Sequence, residues 1–357
     1  MDVGTITEVD HTKNLDIAVI GSGPAGLCAA IAAKEKGAEN VAVFERLPYL
    51  GGILRQCDHT GFGAFRYKEE LSGIEYSQRL INEATSAGVM LFTDSFVSEL
   101  SPGGIKIVKS KEEFIKTKAI ILATGCRERT IGNINANILS ICSALPSSDA
   151  NHLKNLDHVS PKYPTDSAFP PLITGTRPSG VFTAGTAQRM INIGNMKVGK
   201  RAVVLGSGDI GLIVARRMIQ SGTEVSMILE KEAACSALNK NIIGCIEKYK
   251  IPFHTRTTVT EIHGNTRLEA VSISGLSQDG SMIPGTEKRI ECDTLIISVG
   301  LIPELELCSD YRKKHGSVPD NIFTCGNARE ILKMADDIAN DGFAAGIEAV
   351  AYISPSS

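Results

Sequence analysis

Two stretches of the chain arrange apolar and polar positions in the same order. In each, a short apolar run leads into a glycine-rich turn, a longer apolar segment follows, and a second apolar run ends in a glutamate. They read LDIAVIGSGPAGLCAAIAAKEKGAENVAVFE (residues 15–45) and KRAVVLGSGDIGLIVARRMIQSGTEVSMILE (residues 200–230). Short β-branched runs are typical of buried strands, and longer Ala-rich or periodic runs are typical of helices. Both stretches are therefore predicted to fold as strand, glycine turn, helix and strand.

The two stretches are internal repeats at a fixed offset. Five positions recur 185 residues further on: Gly21, Gly23, Gly26, Gly37 and Glu45 return as Gly206, Gly208, Gly211, Gly222 and Glu230. Chance seldom preserves five spacings, so we predict two sites of one kind in one chain.

The residue types in this repeat suit a dinucleotide. The first glycine allows a tight turn, the second lets the backbone approach a pyrophosphate, and the third lets the helix lie close to the strand. The helix then presents free N–H groups and the positive end of its dipole to the phosphates. Glu45 follows Gly26 by 19 residues and is placed to accept hydrogen bonds from a ribose. A plain βαβ turn without a ligand is the alternative, but the complete pattern favours a dinucleotide.

The segment between the repeats predicts further strands and a helix. Residues 68–88 have amphipathic helical spacing and end in a glycine, and residues 89–108 resemble strands around a turn at 102–104. The charge-rich residues 109–118 predict a solvated surface. The apolar run 119–125 predicts a buried strand that ends in a glycine turn.

The second half of the chain repeats this plan. Residues 239–276 predict a helix and several strands, and residues 293–300 predict a strand that mirrors 119–125. A last strand is expected at 321–325 and a closing helix from about 336 to 352.

Residues 133–173 interrupt the pattern. They are rich in Ser, Pro, Asn, Asp and His and show little periodicity, and structureless stretches of this length are unusual inside a compact domain. We predict a surface insertion that is partly disordered. His152, Asp157 and His158 are residue types that bind metals, but a solvated loop is the favoured interpretation, so no metal site is predicted.

Composition and charge limit the class of protein. A length of 357 residues exceeds what one core usually serves, so two domains are expected. A net charge of −3 argues against a nucleic-acid partner. The nine cysteines include no CxxC pair and no zinc spacing, which favours reduced thiols in the cytoplasm. The first 14 residues lack a signal-peptide pattern, and no apolar run approaches the ~20 residues of a membrane span.

These motifs together resemble the two-dinucleotide-binding-domain flavoproteins of the pyridine nucleotide-disulfide oxidoreductase superfamily. The matching motifs are GSGPAG with Glu45, ATG at 123–125, GSGDIG with Glu230, SVGLIP at 298–303 and FTCGN at 323–327. The resemblance implies an α/β fold with two Rossmann-like domains of the three-layer ββα type, with the NAD domain inserted in the FAD domain as in thioredoxin reductases. The implied bounds are a polar tail at 1–14, an FAD domain at 15–132 and 300–357, the insertion at 133–173 and an NAD(H) domain at 174–299.

The resemblance also implies which residues hold each cofactor. FAD would lie against Gly21, Gly23, Pro24, Ala25, Gly26, Glu45, Arg46, Gly51, Gly52, Gln56, Thr124, Gly125, Gly326 and Asn327. NAD(H) would lie against Gly206, Ser207, Gly208, Asp209, Ile210, Gly211, Glu230 and Gly300. The helix after Gly326 would point its N-terminus at the flavin. Asn327 departs from the aspartate that the family often has there and keeps hydrogen bonding without the charge.

The second glutamate favours NADH over NADPH. A carboxylate at Glu230 would bind a 2′-hydroxyl and repel a 2′-phosphate. Lys231 beside it is the counter-argument, because a lysine could meet that phosphate.

Three local motifs suggest an electron-transferring subunit. RER at 127–129 and GVFTAGTAQ at 180–188 resemble flavoprotein subunits of multi-subunit amino-acid and opine dehydrogenases. Together with GGILRQCDHTGFG at 51–63, they are similar to the NAD/FAD oxidoreductase paired with an anaerobic-type glycerol-3-phosphate dehydrogenase. This resemblance implies hydride transfer between NAD(H) and FAD, and a partner subunit that oxidises a small substrate such as glycerol 3-phosphate. A stand-alone NADH oxidase or reductase and a non-enzymatic redox sensor stay open as alternatives.

No catalytic residue is firmly predicted, since the cofactors would exchange the hydride themselves. Cys57 is a weak candidate because it follows the glycine pair Gly51-Gly52. The glutathione-reductase type needs a second cysteine five residues away, where Gly52 and Phe62 stand. The thioredoxin-reductase type needs a CxxC, whereas Cys235 and Cys245 are ten residues apart. We therefore expect no redox-active dithiol and a packed thiol at Cys57.

Overall fold

The computed structural model describes residues 14–135, 172–332 and 334–354. Nearly all of the predicted polar tail and most of the predicted insertion at 133–173 lie outside the described residues, as do the three candidate metal ligands of the insertion.

The chain forms two compact units. The first consists of residues 1–127 and 301–357, and the second of residues 128–300. The strands are, in chain order, β1 Leu15–Ile20, β2 Val41–Phe44, β3 Thr60–Phe62, β4 Leu71–Ser72, β5 Met90–Phe92, β6 Phe96–Ser101, β7 Gly104–Val108, β8 Glu112–Leu122, β9 Cys126–Glu128, β10 Thr174–Gly175, β11 Val181–Thr183, β12 Arg201–Leu205, β13 Glu224–Leu229, β14 Phe253–His254, β15 Thr257–His263, β16 Ala270–Gly275, β17 Lys288–Glu291, β18 Thr294–Ile297, β19 Leu301–Pro303 and β20 Ile322–Thr324. The helices are α1 Pro24–Glu35, α2 Gly73–Ser86, α3 Ala184–Asn192, α4 Asp209–Gln220, α5 Asn239–Ile242, α6 Glu306–His315 and α7 Ala335–Ile353. Short helical turns lie at Gly52–Gln56, Ile243–Glu247 and Gly326–Ala328.

A parallel sheet in the order β5-β2-β1-β8-β20 forms the middle of the first unit. Its register pairs Ile17 of β1 with Val41 on one side and Ala119 on the other. The first half of β8 also pairs antiparallel with β7, and β7 pairs antiparallel with β6. Strand β8 therefore belongs to the central sheet and to a second, antiparallel sheet.

The alternation of side chains along β1 explains the layers of this unit. Ile17 and Val19 pack with α1, α2 and α7, whereas Ala18 and Ile20 pack with β6, β7 and β8. Both faces of the strand are apolar because both are covered, as is typical of parallel sheets. Helices, parallel sheet and antiparallel sheet form three layers.

The second unit repeats this plan. Its parallel sheet has the order β11-β18-β12-β13-β14, and β15, β16 and β17 form an antiparallel sheet with β10 at its edge. Ala202 and Val204 of β12 pack with α3 and α4, while Val203 and Leu205 pack with the antiparallel sheet. The predicted α/β fold class with two three-layer, Rossmann-like domains is confirmed.

Helix α7 lies very close to α1 in the first unit. A Cβ on Gly342 would overlap the carbonyl oxygen of Ala25, and a Cβ on Gly346 would overlap that of Ala29. Glycine alone permits this approach of two backbones. Helix α7 is thereby fixed against the helix that follows the first glycine turn.

The helix predicted over residues 68–88 is shorter than expected, because it spans Gly73–Ser86. Ser72 accepts a hydrogen bond from the Glu75 N–H, and the Glu75 carboxylate accepts one from the Ser72 N–H. This reciprocal capping box fixes the first turn of the helix.

Residues 109–118, predicted as a solvated surface, are mostly exposed, but residues 112–118 also form the start of β8, which was not predicted. Ile115 and Thr117 are buried, whereas Lys116 and Lys118, which alternate with them, are exposed. A strand can carry such charge because alternate side chains point to opposite faces.

Candidate functional site

Each repeat builds the same turn from glycines. Gly21 and Gly206 both have a φ of +104°, a backbone conformation that other residues rarely adopt. A Cβ on Gly21 would lie 2.5 Å from the carbonyl oxygen of Ala123. Gly26 and Gly211 each lie against the carbonyl oxygen of the first glycine, where a Cβ would collide with it. The tight turn and the helix behind it thus fit only glycine at these positions.

The second glycine of each turn faces open space. A Cβ on Gly23 would meet no described atom within 4 Å, and one on Gly208 would meet only Ser236 Oγ at 3.9 Å. Each glycine is the N-cap residue of the next helix, α1 or α4, and no side chain caps either helix. The first N–H groups of both helices therefore stay available to an anion. This backbone-lined cradle fits the pyrophosphate of a dinucleotide in both units.

The glutamate that ends the second strand is buried in both repeats and held by its own turn. Glu45 Oε2 accepts hydrogen bonds from Ser22 N at 3.1 Å and Ser22 Oγ at 2.7 Å. Glu230 Oε2 accepts them from Ser207 N at 3.0 Å and Ser207 Oγ at 2.6 Å. In both, Oε1 accepts one further bond at 3.0 Å, from the N–H two residues along the chain. Three of the roughly four acceptor sites of each carboxylate are thus used, and one on Oε1 remains for a ligand.

Ser22 is a site residue that the sequence reasoning missed. It is absent from the predicted set, although Ser207 at the equivalent position of the second repeat is included. The repeat itself is the signal that would have found it.

The glycine pair covers the first turn. The Gly51 N–H lies 3.1 Å from Ser22 O and 3.2 Å from Ser22 Oγ. A Cβ on Gly52 would lie 2.9 Å from the Cα of Gly23. The pair therefore closes over the cradle by direct backbone contact.

The second turn is covered by a different segment. Cys235 Sγ donates a hydrogen bond to Ser207 O at 3.3 Å, in the place that the glycine pair takes in the first unit. Asp209 Oδ1 accepts hydrogen bonds from Leu238 N at 2.9 Å and Asn241 Nδ2 at 2.6 Å. Predicted as a nucleotide contact, Asp209 holds a segment of its own chain in the structure.

The other predicted residues near the turns differ in exposure. Pro24 and Ala25 are buried in the first turn of α1, and Gln56 is buried in the turn after the glycine pair. Arg46 and Ile210 are exposed, so their side chains are open to solvent beside the two cradles.

Three predicted residues follow the central strands at positions where the chain turns. Thr124 Oγ1 donates a hydrogen bond to Glu304 O at 2.6 Å, so its hydroxyl proton is used within the chain. Gly125 has a φ of +74° and open space in front of its Cα. Gly300 has a φ of +108°, and its carbonyl oxygen accepts a hydrogen bond from Arg129 N at 3.0 Å.

Asn327 has protein partners at both ends of its amide. Its Nδ2 lies 3.7 Å from Cys126 Sγ, and its Oδ1 accepts a hydrogen bond from Leu332 N at 2.9 Å. Gly326 N donates to Asp341 Oδ2 at 2.6 Å, a contact that nothing in the sequence pattern indicates.

The closing helix, predicted from about 336 to 352, is α7 at Ala335–Ile353, which confirms that prediction. A single tighter turn occupies Gly326–Ala328, and α7 starts only at Ala335. Its N-cap residue Met334 supplies no side-chain hydrogen bond, and Asp336 in its first turn accepts hydrogen bonds from Phe65 N at 3.0 Å and from the Tyr76 hydroxyl at 2.9 Å.

The thiol of Cys57 is packed rather than activated. Burial raises its pKa to about 12, and its Sγ lies 3.6 Å from Ile53 O. Gly73 packs so closely that a Cβ there would lie 2.6 Å from Cys57 Cβ. The described cysteines are free thiols: Cys28, Cys57, Cys126, Cys235, Cys245, Cys292, Cys308 and Cys325. Cys142 lies outside the described residues.

Two of the local motifs meet in the second unit. Glu128 of the RER motif accepts a hydrogen bond through Oε1 from Gly185 N of GVFTAGTAQ at 2.7 Å. This places a carboxylate at the N-terminus of α3, where the helix dipole stabilises it. In the first unit, Arg127 pairs with Glu304 at 3.3 Å and also with Glu306.

Among the described residues, no cluster of three or more His, Cys, Asp or Glu side chains converges on a metal-sized site. Within the same ranges, no helix combines the length and the apolar character that crossing a membrane requires.

Fold and site together define a class: an α/β protein with two dinucleotide cradles, each built into its own three-layer unit. The chain belongs to the family described as Pyridine nucleotide-disulphide oxidoreductase, which it matches over residues 15–320. It is therefore an oxidoreductase that uses FAD and a pyridine nucleotide, and the predicted superfamily is confirmed.

Similar proteins include single-chain enzymes and subunits of larger ones. Thioredoxin reductase of Mycolicibacterium smegmatis is 23% identical, covering 95% of this chain and 96% of its own length. Hydrogen cyanide synthase subunit HcnB of Pseudomonas protegens is 22% identical over 86% of this chain, and sarcosine oxidase subunit alpha of Corynebacterium sp. (strain U-96) is 24% identical over 85%. This chain spans 61% and 28% of the length of those two subunits.

A solved structure with a similar fold is T. acidophilum thioredoxin reductase. It superposes with a TM-score of 0.66 at 21% identity, covering 96% of this chain and 99% of the other. The NAD-dependent persulfide reductase from A. fulgidus gives a TM-score of 0.59 at 18% identity, covering 94% of this chain and 59% of the other. Likeness at this identity shows the fold alone.

Proposed function

We propose that this chain is the FAD-containing subunit that exchanges hydride with NAD(H) in a cytoplasmic dehydrogenase complex. The observation that carries the proposal is the doubled site. One chain holds two turns of the same design, each with an open second glycine and a buried glutamate. Two dinucleotides in one chain suit electron transfer from one to the other.

The residues of the chain would bind and orient the cofactors. When bound, FAD supplies the redox chemistry by exchanging hydride with NAD(H). Gly23 and Gly208 leave room for the two pyrophosphates, and the first N–H groups of α1 and α4 donate to them. Glu45 and Glu230 each keep an acceptor site for a ribose hydroxyl. No proton has to be moved by a side chain in the hydride step.

Within this proposal the nucleotide is NADH rather than NADPH. The buried carboxylate of Glu230 would repel a 2′-phosphate. Lys231, the counter-argument from the sequence, lies 3.3 Å from the Glu232 carboxylate, which offsets its charge. We expect kcat/KM for NADH to exceed that for NADPH by ~5- to 150-fold. Equal values for both nucleotides would contradict the assignment.

The electrons would leave the chain without a redox-active dithiol. The sequence contains no CxxC, and Cys57, the thiol nearest the glycine pair, is packed and has a raised pKa. The acceptor or donor is therefore better sought in a second protein than in a disulfide.

Two similar proteins are named as subunits, HcnB and sarcosine oxidase subunit alpha, which supports assembly with a partner. The three local motifs of the sequence support a partner that oxidises a small substrate such as glycerol 3-phosphate. The contact between Glu128 and Gly185 links two of those motifs in space.

The experiment compares the isolated chain with the assembled complex. The purified protein is assayed with NADH and a dye, and then with NAD and glycerol 3-phosphate before and after a partner dehydrogenase is added. We expect dye reduction in the first assay and no turnover in the second until the partner is present. Gly208→Ala is the control for the second cradle, and it should keep the flavin and lose dye reduction.

Three results would contradict the proposal. Glycerol 3-phosphate oxidation by this chain alone would place the substrate site within it. Steady oxygen consumption with NADH and no partner would identify a stand-alone NADH oxidase. A flavin-loaded protein that reduces no dye would favour a redox sensor.

A further inference from the structure

We propose that Ser22 and Ser207 are positioning residues, which hold the two ribose carboxylates so that one defined oxygen faces each cofactor. Ser22 would act on FAD through Glu45, and Ser207 on NAD(H) through Glu230. The inference rests on the proposed assignment of these glutamates to the two riboses, and the test below separates the failure of one from the failure of the other.

The geometry makes each serine the main partner of its glutamate. Ser22 and Ser207 are fully buried, and the two glutamates are 6% exposed. The oxygens of a carboxyl group buried this deeply need hydrogen-bond partners. Each serine supplies two of the three bonds, both of them to Oε2. The hydroxyl therefore determines which oxygen remains for the ligand.

Without the hydroxyl, the carboxylate would be less well oriented. Oε2 would regain an acceptor site, and the terminal torsion of a glutamate is broad. Binding of the cofactor would then have to restrict the rotation of the carboxylate, which costs free energy. When the serine already holds the carboxylate in place, this cost is avoided. We therefore expect weaker binding of the cofactor with little change in the chemical step.

The serine–glutamate hydrogen bonds occur in both units, which indicates that they have a role in cofactor binding and are not merely a feature of local packing. The two serines differ in their other contacts, since Ser22 also accepts a hydrogen bond from Gly51 N, whereas Ser207 O accepts one from the Cys235 thiol. The residues two and three positions after the serine also differ between the repeats, Pro-Ala in one and Asp-Ile in the other. What both units share is the serine, the glutamate, the two bonds from the serine to Oε2 and the one bond to Oε1 from the N–H two residues after the glutamate.

The test is a double-mutant cycle on the FAD-loaded protein with a dye as acceptor. Ser207→Ala should raise KM for NADH ~5- to 30-fold, with kcat changed less than about twofold and FAD retained. In a Glu230→Ala background the same substitution should have no further effect, because the serine acts through the carboxylate. Ser22→Ala should speed FAD dissociation by a similar factor. Ser274→Ala is the matched control, an equally buried serine of the second unit on β16, and should leave KM unchanged.

The outcomes separate the two assumptions. If Glu230→Ala leaves KM for NADH unchanged, the ribose assignment fails and the serine proposal fails with it. If Glu230→Ala raises KM but Ser207→Ala does not, or if Ser207→Ala adds its full effect in the Glu230→Ala background, the serine proposal alone is overturned. Ser207→Gly, a second variant without the hydroxyl, replaces Ser207→Ala in the cycle if thermal unfolding shows that the alanine variant is not folded.

Discussion

Gly23→Ala and Gly208→Ala should each remove one cofactor and leave the fold intact. The new methyl group would meet no described atom within 4 Å at Gly23 and only Ser236 Oγ at 3.9 Å at Gly208. The φ angles are −70° and −66°, which alanine adopts without strain. By contrast, alanine at Gly21 would combine a φ of +104° with a clash against Ala123, so that substitution would damage the fold itself.

The expected magnitudes follow from these positions. Alanine is a poorer N-cap than glycine, which costs ~0.5–1 kcal/mol, and it reduces the entropy of the unfolded chain, which offsets ~0.4–1 kcal/mol. The free energy of unfolding should therefore change by no more than about 1 kcal/mol. The methyl group stands where the pyrophosphate must approach. Losing two charge-assisted hydrogen bonds, at ~1.5–3 kcal/mol each, would weaken cofactor binding about 100-fold or more.

Two measurements on each variant check this. Gly23→Ala should bind NADH in calorimetry yet retain no flavin absorbance after incubation with FAD. Gly208→Ala should be yellow and fail to reduce a dye with NADH. Gly132→Ala is the matched control, since a Cβ there would meet only Thr130 Oγ1 at 3.6 Å, and it should bind both cofactors normally. Wild-type FAD affinity in Gly23→Ala would refute the assignment of the pyrophosphate to that cradle, and a large fall in Tm would refute the claim of open space.

Three further substitutions test other parts of the argument. Glu230→Ala should bring the NADH-to-NADPH ratio of kcat/KM close to one, and an unchanged ratio would remove the carboxylate from cofactor selection. Cys57→Ser should leave NADH-to-dye turnover within about threefold, because a thiol with a pKa of about 12 stays protonated at neutral pH; lost activity with flavin still bound would give Cys57 a chemical role. Ser72→Ala should lower the free energy of unfolding by ~1 kcal/mol in urea titrations, because it breaks the capping box of α2, and an unchanged midpoint would show that the cap contributes nothing.

The sequence predicts well those parts of the fold in which the backbone conformation or the close packing at a single position determines the residue type. Gly21 and Gly206 have to turn the chain through a positive φ, and Gly26 and Gly211 have to let a helix approach a strand, so their spacing alone predicts both βαβ units. The strand at the start of β8 is not evident from the sequence, because charged residues dominate its composition and only Ile115 and Thr117 alternate with them as buried positions.

The contacts of Asn327 and Gly326 were not predicted, because they join residues that are well separated in the sequence. The amide of Asn327 contacts Cys126, 201 positions away, and Gly326 N finds Asp341 on the closing helix. No spacing rule links such pairs, because the tertiary fold rather than a local pattern brings them together.

Because the chain is synthesised from its N-terminus, β8 is made long before its partner strand β20. Its partner Ile322 in β20 comes 202 residues after Ile120, whereas the second unit is one uninterrupted segment of residues 128–300. A nascent chain can therefore complete the second unit before β20 and α7 are synthesised. At that stage β8 lacks its partner β20, and the side of α1 that packs against Gly342 and Gly346 of α7 is uncovered. We expect a chain truncated after residue 300 to bind NADH but not FAD, because β20 and α7 of the first unit would be missing from it.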